Sequence, residues 1–421
     1  MTRRTLWIAL VMGAAVGVLS GVYLRAVRAL EHLLWHGSEA RPPLPAWLGI
    51  LVVTTGGGLV VGLLRWHHDR DSPTDLEDAL VDLDRLVAAE GEPVPAPSVG
   101  WLLRAALLGV VSLGAGASLG PEAPLLVLAT GLGQRAARIL RTTQREAAYI
   151  SSAGAISGLF GGPLGSVVLP LERSRSPQRT ARLLPAGLVA GTAGLVALLL
   201  VLPDGGLPRY VVPHPGYDDG RELLIGLAWG ALAAVPAALA GLALLAATHP
   251  LRDAATRLAP NPIPRAVAGG LVLGLCGALA PLALFSGEHQ AQDLVDGLDQ
   301  ATVATLLALL ALKLVATLAC LATGWCGGQI FPAVFLGMIC GLLVAVLVPA
   351  APVAPVFAAG AGAAAAAVLR RPLASILILL LFFPAASLVA LATGVAVATL
   401  VVSLLGDRAP AVAHDTDVAA N

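Results

Sequence analysis

Gly120-Pro121-Glu122-Ala123-Pro124 places one carboxylate, flanked by glycine and prolines, in an otherwise apolar region. Between Ala105 and Leu132, Glu122 is the only charged residue. An acidic residue at the centre of a bilayer costs about 2.5–3.5 kcal/mol or more, so such residues usually have a function. Proline is excluded from the interior of a regular helix but tolerated in its first turn. The stretch therefore predicts a broken helix that begins, and presents a carboxylate, within the membrane.

The composition is that of a polytopic membrane protein. Of the 421 residues, 57 % are hydrophobic and 12 % are charged, about half the charged fraction of a soluble protein. Thr5–Leu24, Ala147–Leu171 and Leu314–Leu369 contain no charged residue, and each is long enough to span a bilayer. We therefore expect an all-α, multi-pass protein of the cell membrane.

Basic and acidic connections alternate along the chain. Arginines lie near the N-terminus and in residues 173–182 and 252–265, whereas residues 203–222 are acidic and rich in proline and glycine. Excess arginine in short loops marks the cytoplasmic side, which predicts a cytoplasmic N-terminus. Residues 67–97 are acidic and interleave carboxylates with leucines, which predicts a solvated amphipathic helix at the membrane surface.

The net charge and the positions of the cysteines argue against nucleic acid and metal ions as partners. A net charge of zero argues against nucleic acid, which requires a basic face. The four cysteines lie in apolar segments without a nearby histidine, so they are expected to be packing residues rather than metal ligands or disulfides. We expect no metal site and no cofactor.

A second glycine–proline break, Gly327-Gly328-Gln329-Ile330-Phe331-Pro332, indicates an internal repeat. A shift of 208 or 209 positions superimposes Arg104 on Lys313, Gly120 on Gly328, Pro124 on Pro332, and residues 163–169 on residues 372–378. Repeats of this kind are common in membrane transporters. The predicted organisation is a first membrane repeat (1–202), an extracytoplasmic linker (203–222), a second membrane repeat (223–406) and a short polar tail (407–421).

Two broken helices in a repeated membrane fold suggest an anion site. A helix start offers roughly four unpaired N–H groups and about half a positive charge. Two such starts that face each other can bind an anion without a full positive charge beside it. As a carboxylate, Glu122 can occupy the same position, and protonation would neutralise it and allow it to leave. This predicts a small inorganic anion as substrate and Glu122 as a protonatable gate.

These residues resemble the CLC family of chloride channels and chloride/proton exchangers. Residues 120–124 are similar to the family's Gly-(Lys/Arg)-Glu-Gly-Pro motif, residues 327–332 to its Gly-Gly-x-Phe-x-Pro motif, and residues 158–172 to its helix pair that ends in an acidic residue. The resemblance implies two inverted repeats of broken and tilted helices, a homodimer with one pore per subunit, and Glu122 as the outer gate. It also implies that an anion path is lined by Gly120, Pro121, Ala123, Gly328, Gln329, Ile330 and Phe331.

The chain departs from the family pattern at several positions. Pro121 and Ala123 replace a basic residue and a glycine. Ser72 matches the family's pore serine, but the glycines around that serine are missing, and the tyrosine expected near the end of the last helix is absent. Glu172 is the candidate for a proton path, yet Arg173 stands where exchangers often carry a second glutamate. Whether the protein is a channel or a proton-coupled exchanger therefore stays open. Arg104 and Lys313, one in each repeat, are interpreted as intramembrane cations.

Two other functions fit parts of the sequence. One is a secondary transporter for a different solute, such as fluoride or a small organic anion. A more remote one is an intramembrane serine hydrolase, because residues 116–120 fit Gly-x-Ser-x-Gly around Ser118. The eight histidines lie outside the membrane segments, so we do not expect an enzyme. Residues 287–290 form a polar loop that is interpreted as solvated.

Overall fold

The computed structural model describes residues 2–35, 45–67, 76–88, 95–172, 177–203, 208–214 and 216–410. These ranges contain seventeen α-helices: α1 (Arg3–Trp35), α2 (Ala46–His67), α3 (Leu76–Ala88), α4 (Val99–Gly114), α5 (Glu122–Ile139), α6 (Gln144–Phe160), α7 (Pro163–Glu172), α8 (Pro177–Ala181), α9 (Leu184–Val201), α10 (Gly220–Leu258), α11 (Pro262–Leu279), α12 (Gln290–Asp296), α13 (Val303–Thr323), α14 (Ile330–Leu347), α15 (Val353–Leu369), α16 (Pro372–Leu379) and α17 (Leu388–Leu405). Within the described ranges, eight helical stretches are long and apolar enough to cross a membrane.

The chain breaks at both predicted positions. Helix α4 ends at Gly114, an irregular buried segment follows, and α5 begins at Glu122 itself. Helix α13 ends at Thr323, is followed by a left-handed Gly324, and gives way to α14 at Ile330. The starts of α5 and α14 are buried in the protein interior. Irregular backbone at membrane depth is tolerated when protein surrounds it in this way.

The two breaks pair with each other. Gly120 N–H donates to the carbonyl oxygen of Gly328 at 2.8 Å, and Gly328 N–H donates to the carbonyl oxygen of Gly120 at 2.7 Å. The sequence shift thus relates two residues, Gly120 and Gly328, that hydrogen-bond to each other reciprocally. A local two-fold axis between the repeats requires such a pairing. Elsewhere, Gly133 packs on the backbone of Ala147, and the equivalent Gly341 packs on that of Val356. These contacts support two repeats. The predicted linker at residues 203–222 overlaps the start of α10, which begins at Gly220.

The prediction of a solvated amphipathic helix at residues 67–97 is only half right. Helix α3 packs against α5 and α6, and Leu83 is fully buried. Asp84 is also buried, where its Oδ2 accepts a hydrogen bond from the Arg371 guanidinium at 2.6 Å. Only the outer face, with Asp82 and Arg85, is exposed. The ion pair joins the first half of the chain to the residue just before α16.

A candidate anion site between two helix starts

Glu122 lies between the first turns of α5 and α14. Its side chain is 3 % exposed, and its Oε1 accepts a hydrogen bond from the Ile330 N–H at 2.9 Å. The N–H groups of Glu122 itself and of Phe331 also interact favourably with the carboxylate. Oε2 is buried and has no hydrogen-bond partner among the described residues. The carboxylate therefore occupies the place where two helix N-termini attract negative charge.

Glycine is required where the two breaks meet. A Cβ on Gly120 would overlap the carboxyl group of Glu122, and a Cβ on Gly328 would overlap the Glu122 side chain as well. Gly327 is in a similar position, because a Cβ there would lie 2.5 Å from the Cβ of Leu119. Only a residue without a side chain allows the two backbones and the carboxylate to approach this closely.

The backbone positions predicted to line an anion path are brought together at this site. All are buried: Gly120, Pro121, Ala123, Gly328, Gln329, Ile330 and Phe331. The side-chain Oε1 of Gln329 has no hydrogen-bond partner among the described residues. Their lining of a transport path stays a prediction, as does the role of Ser72, which lies outside the described residues.

Several polar groups near the site were missed by the sequence analysis. The Tyr23 hydroxyl, from α1, is buried without a described hydrogen-bond partner and lies close enough to Glu122 for their charges to interact. The Ser112 hydroxyl accepts a hydrogen bond from the Cys326 N–H at 3.0 Å and so fixes the segment before the second break. A tyrosine in an apolar helix carries no sequence signal for this contact, since α1 meets the site only after folding.

Ser118 is buried, and its hydroxyl lies 2.9 Å from the Thr317 hydroxyl. The Gly-x-Ser-x-Gly motif of hydrolases places its serine on a turn between a strand and a helix, whereas Ser118 lies between the helices α4 and α5. Here the hydroxyl joins α13 to the break before α5, which makes it a structural contact between the two halves.

The two residues interpreted as intramembrane cations have different surroundings. Lys313 is fully buried, and its ammonium donates to the carbonyl oxygens of Phe285 at 2.6 Å and Leu284 at 3.2 Å. The same ammonium lies 4.9 Å from the centre of the Phe335 ring. Arg104 is exposed on the surface of α4. The repeat therefore relates the sequence positions of Arg104 and Lys313 but not their environments, and the interpretation of both as intramembrane cations stays a prediction.

Glu172 ends α7 and caps α16. Its two carboxylate oxygens accept hydrogen bonds from the Leu373 N–H and the Ala374 N–H, each at 2.8 Å. A carboxylate that accepts hydrogen bonds from the first N–H groups of a helix caps that helix. The geometry gives Glu172 a structural task, and its part in a proton path stays a prediction.

A cavity of about 100 Å³ reaches the site from one side. It is lined by Pro121 and Leu119 at its inner end and by Glu288, His289 and Arg28, among others, towards the surface. We call this cavity the vestibule. It reaches the residue directly before Glu122, so it offers a route from solvent to the paired helix starts.

The comparisons with known proteins agree with this geometry. The family described as "Voltage gated chloride channel" matches residues 84–403. The chain belongs to the voltage-gated chloride channel (CLC) family. Proteins named YfeO from Escherichia coli O139:H28 and Escherichia fergusonii, described as candidate ion-transport proteins, are 30 % identical over 370 and 373 residues, which cover 83 % of this chain and 82 % of each relative.

Solved CLC structures share the fold. A slow cyanobacterial Cl⁻/H⁺ antiporter superimposes with a TM-score of 0.78 at 21 % identity, over 97 % of this chain and 98 % of its own. A CLC-type fluoride/proton antiporter gives 0.72 at 18 % identity, over 95 % and 96 %. The prediction of an all-α, polytopic, CLC-like membrane fold is confirmed.

Proposed function

We propose that this CLC protein carries chloride across the membrane and that protonation of Glu122 controls the passage of the anion. The observation that carries the proposal is the hydrogen bond from the Ile330 N–H to Glu122 Oε1. It places a titratable carboxylate in the position that an anion would take at two helix starts. Binding of a proton removes the charge that holds the side chain there, and the N–H groups then become available to chloride.

The site is built to bind an anion modestly, so that the anion can also be released. The attraction comes from helix N-termini and backbone N–H groups, which bind modestly, rather than from a cation in the path. Lys313, the only lysine of the sequence, is buried and donates its hydrogen bonds to carbonyl oxygens. Chloride can therefore be bound and released without separating a strong ion pair.

Liposomes that contain the purified protein test this proposal. We expect chloride efflux that rises as the pH falls, because acid protonates Glu122. Absence of efflux in both acidic and neutral buffer would contradict the proposal. Replacement of chloride by fluoride or by a small organic anion tests the alternative substrates. Fluoride is included because one structure with a similar fold is a CLC-type fluoride/proton antiporter.

The same vesicles distinguish an exchanger from a channel. An exchanger would use an imposed chloride gradient to drive protons uphill, whereas a channel would not. We favour a channel, or an exchanger with an unusual proton path, since both oxygens of Glu172 are bound by the start of α16. Uphill proton movement that is lost in Glu172→Gln would contradict this preference.

We further propose a homodimer with a cytoplasmic N-terminus, built from repeats at residues 1–202 and 223–406. Leu164 on α7 and Leu373 on α16, equivalent positions in the two repeats, are both exposed and apolar. Exposed apolar side chains can be covered by the same surface of a second subunit in a two-fold symmetric dimer. A monomeric mass by native mass spectrometry in mild detergent would contradict the dimer.

A further inference from the structure

The polar loop at residues 287–290 is rigidly placed rather than loosely solvated. Phe285 and Gly287 both have left-handed backbone angles, with φ of 57° and 98°. A Cβ on Gly287 would lie 2.7 Å from the ring of Phe335, so the loop backs directly onto α14. The buried Lys313 ammonium holds the carbonyl oxygens that precede the loop. The protein thus uses a buried cation to fix the direction in which Glu288 and His289 point.

Glu288 and His289 form a pair in the vestibule. His289 Nδ1 lies 3.4 Å from Glu288 Oε1; the imidazole is 53 % exposed and the carboxylate 12 % exposed. Oε2 of Glu288 is buried and has no hydrogen-bond partner among the described residues. A buried carboxylate oxygen without a donor is costly, so it favours a hydrogen-bonding partner such as water. The pair therefore extends from solvent towards the interior.

The charged groups around the pair come from several elements. Arg28 and Glu31 on α1 line the same vestibule, and the Tyr210 hydroxyl donates to the backbone oxygen of Glu288 at 3.1 Å. The charges of Glu288 and Glu122 also interact. The hydrogen bond to Glu288 raises the pKa of His289 above its ordinary value, against the opposing effect of burial. The imidazole thus holds its proton to a higher pH than a histidine without this partner.

We propose that Glu288 and His289 form a proton-binding site through which Glu122 exchanges protons with the solvent on the vestibule side. The inference rests on the proposed function of Glu122. His289, which carries a proton on each ring nitrogen, gives the Nδ1 proton to Glu288 Oε1 and keeps the Nε2 proton; a proton from solvent later refills Nδ1, because the ring is half exposed. The carboxylic acid of Glu288 then releases a proton to water in the vestibule, and this water passes one to the Glu122 carboxylate. Glu288 is again a carboxylate and His289 again carries two N–H groups, so the transfer is balanced.

Glu288→Gln tests this proposal, because glutamine keeps the shape of the side chain but cannot be protonated. We expect chloride efflux after a jump to acidic pH to rise at least about tenfold more slowly than in the unmodified protein, since a positioned proton-transfer group typically contributes a larger factor than this. The steady flux at a pH low enough to protonate Glu122 fully should change much less than this rate, because the relay affects how fast Glu122 is protonated.

His289→Gln is the second variant, and its half-exposed side chain can be replaced without disturbing the packed interior. The rise in efflux after a jump to acidic pH should again be slower than in the unmodified protein, because glutamine cannot pass a proton from solvent to Glu288. Asp293→Asn is the matched control, since Asp293 is exposed on α12 and does not line the vestibule. Unchanged activation rates in both variants would overturn the inference. Loss of pH-dependent flux from the unmodified protein would instead overturn the proposed function.

Discussion

Replacement of Glu122 by glutamine is expected to abolish the pH dependence of chloride flux. At neutral pH the variant should conduct at least as fast as the unmodified protein does in acid. Glutamine has nearly the size of glutamate but no charge, so the two helix starts no longer hold the side chain in the anion position. The measurement is chloride efflux from liposomes over a range of pH.

Glu172→Gln is the matched control for this experiment. It is the same substitution at a second acidic residue, but one whose two oxygens cap α16 rather than face α14. We expect this variant to retain the normal pH response. A normal pH response in Glu122→Gln, or loss of the response in Glu172→Gln alone, would place the gate elsewhere than at Glu122.

The sequence predicted the centre of the fold because the signal there is local. A lone carboxylate between prolines, in a long apolar region, has few structural explanations. The second break at residues 327–332 could then be found by a constant shift along the chain. That shift relates Gly120 to Gly328, and in the structure these two residues form reciprocal backbone hydrogen bonds. The departures at Pro121 and Ala123 are accommodated, since Pro121 stands at the N-cap of α5 and Ala123 lies in its first turn.

Contacts between distant segments account for what the sequence did not predict. Lys313 and Arg104 occupy matching sequence positions, and nothing local indicates that one is buried under carbonyl oxygens and the other exposed. Asp84 belongs to an acidic segment, and only the approach of Arg371 explains why it is buried. The polar loop at Glu288 and Pro121 line the same vestibule only because folding brings α1, α6 and the first break together.

Gly328→Ala is expected to lower stability and to disturb the gate together. The added methyl would overlap the side chain of Glu122, so one of the two must move. Inserting one methyl into a closely packed interior typically costs about 1–3 kcal/mol. The displaced carboxylate should also weaken the pH response of chloride flux. The measurements are the thermal unfolding midpoint in detergent and efflux at two pH values.

Making Gly328→Ala in a protein that already carries Glu122→Ala shows how much of the lost stability comes from overlap with the Glu122 side chain. With the carboxyl group removed, the methyl of Gly328→Ala has room, and most of the loss in stability should disappear. Such coupling is expected only for side chains in contact. Gly56→Ala supplies the control for the substitution itself, because a Cβ on Gly56 meets open space on the exposed face of α2, where alanine also favours the helix. Equal losses of stability with and without the Glu122→Ala substitution would mean that Gly328 is required by the backbone pairing with Gly120 and not by the position of the carboxylate.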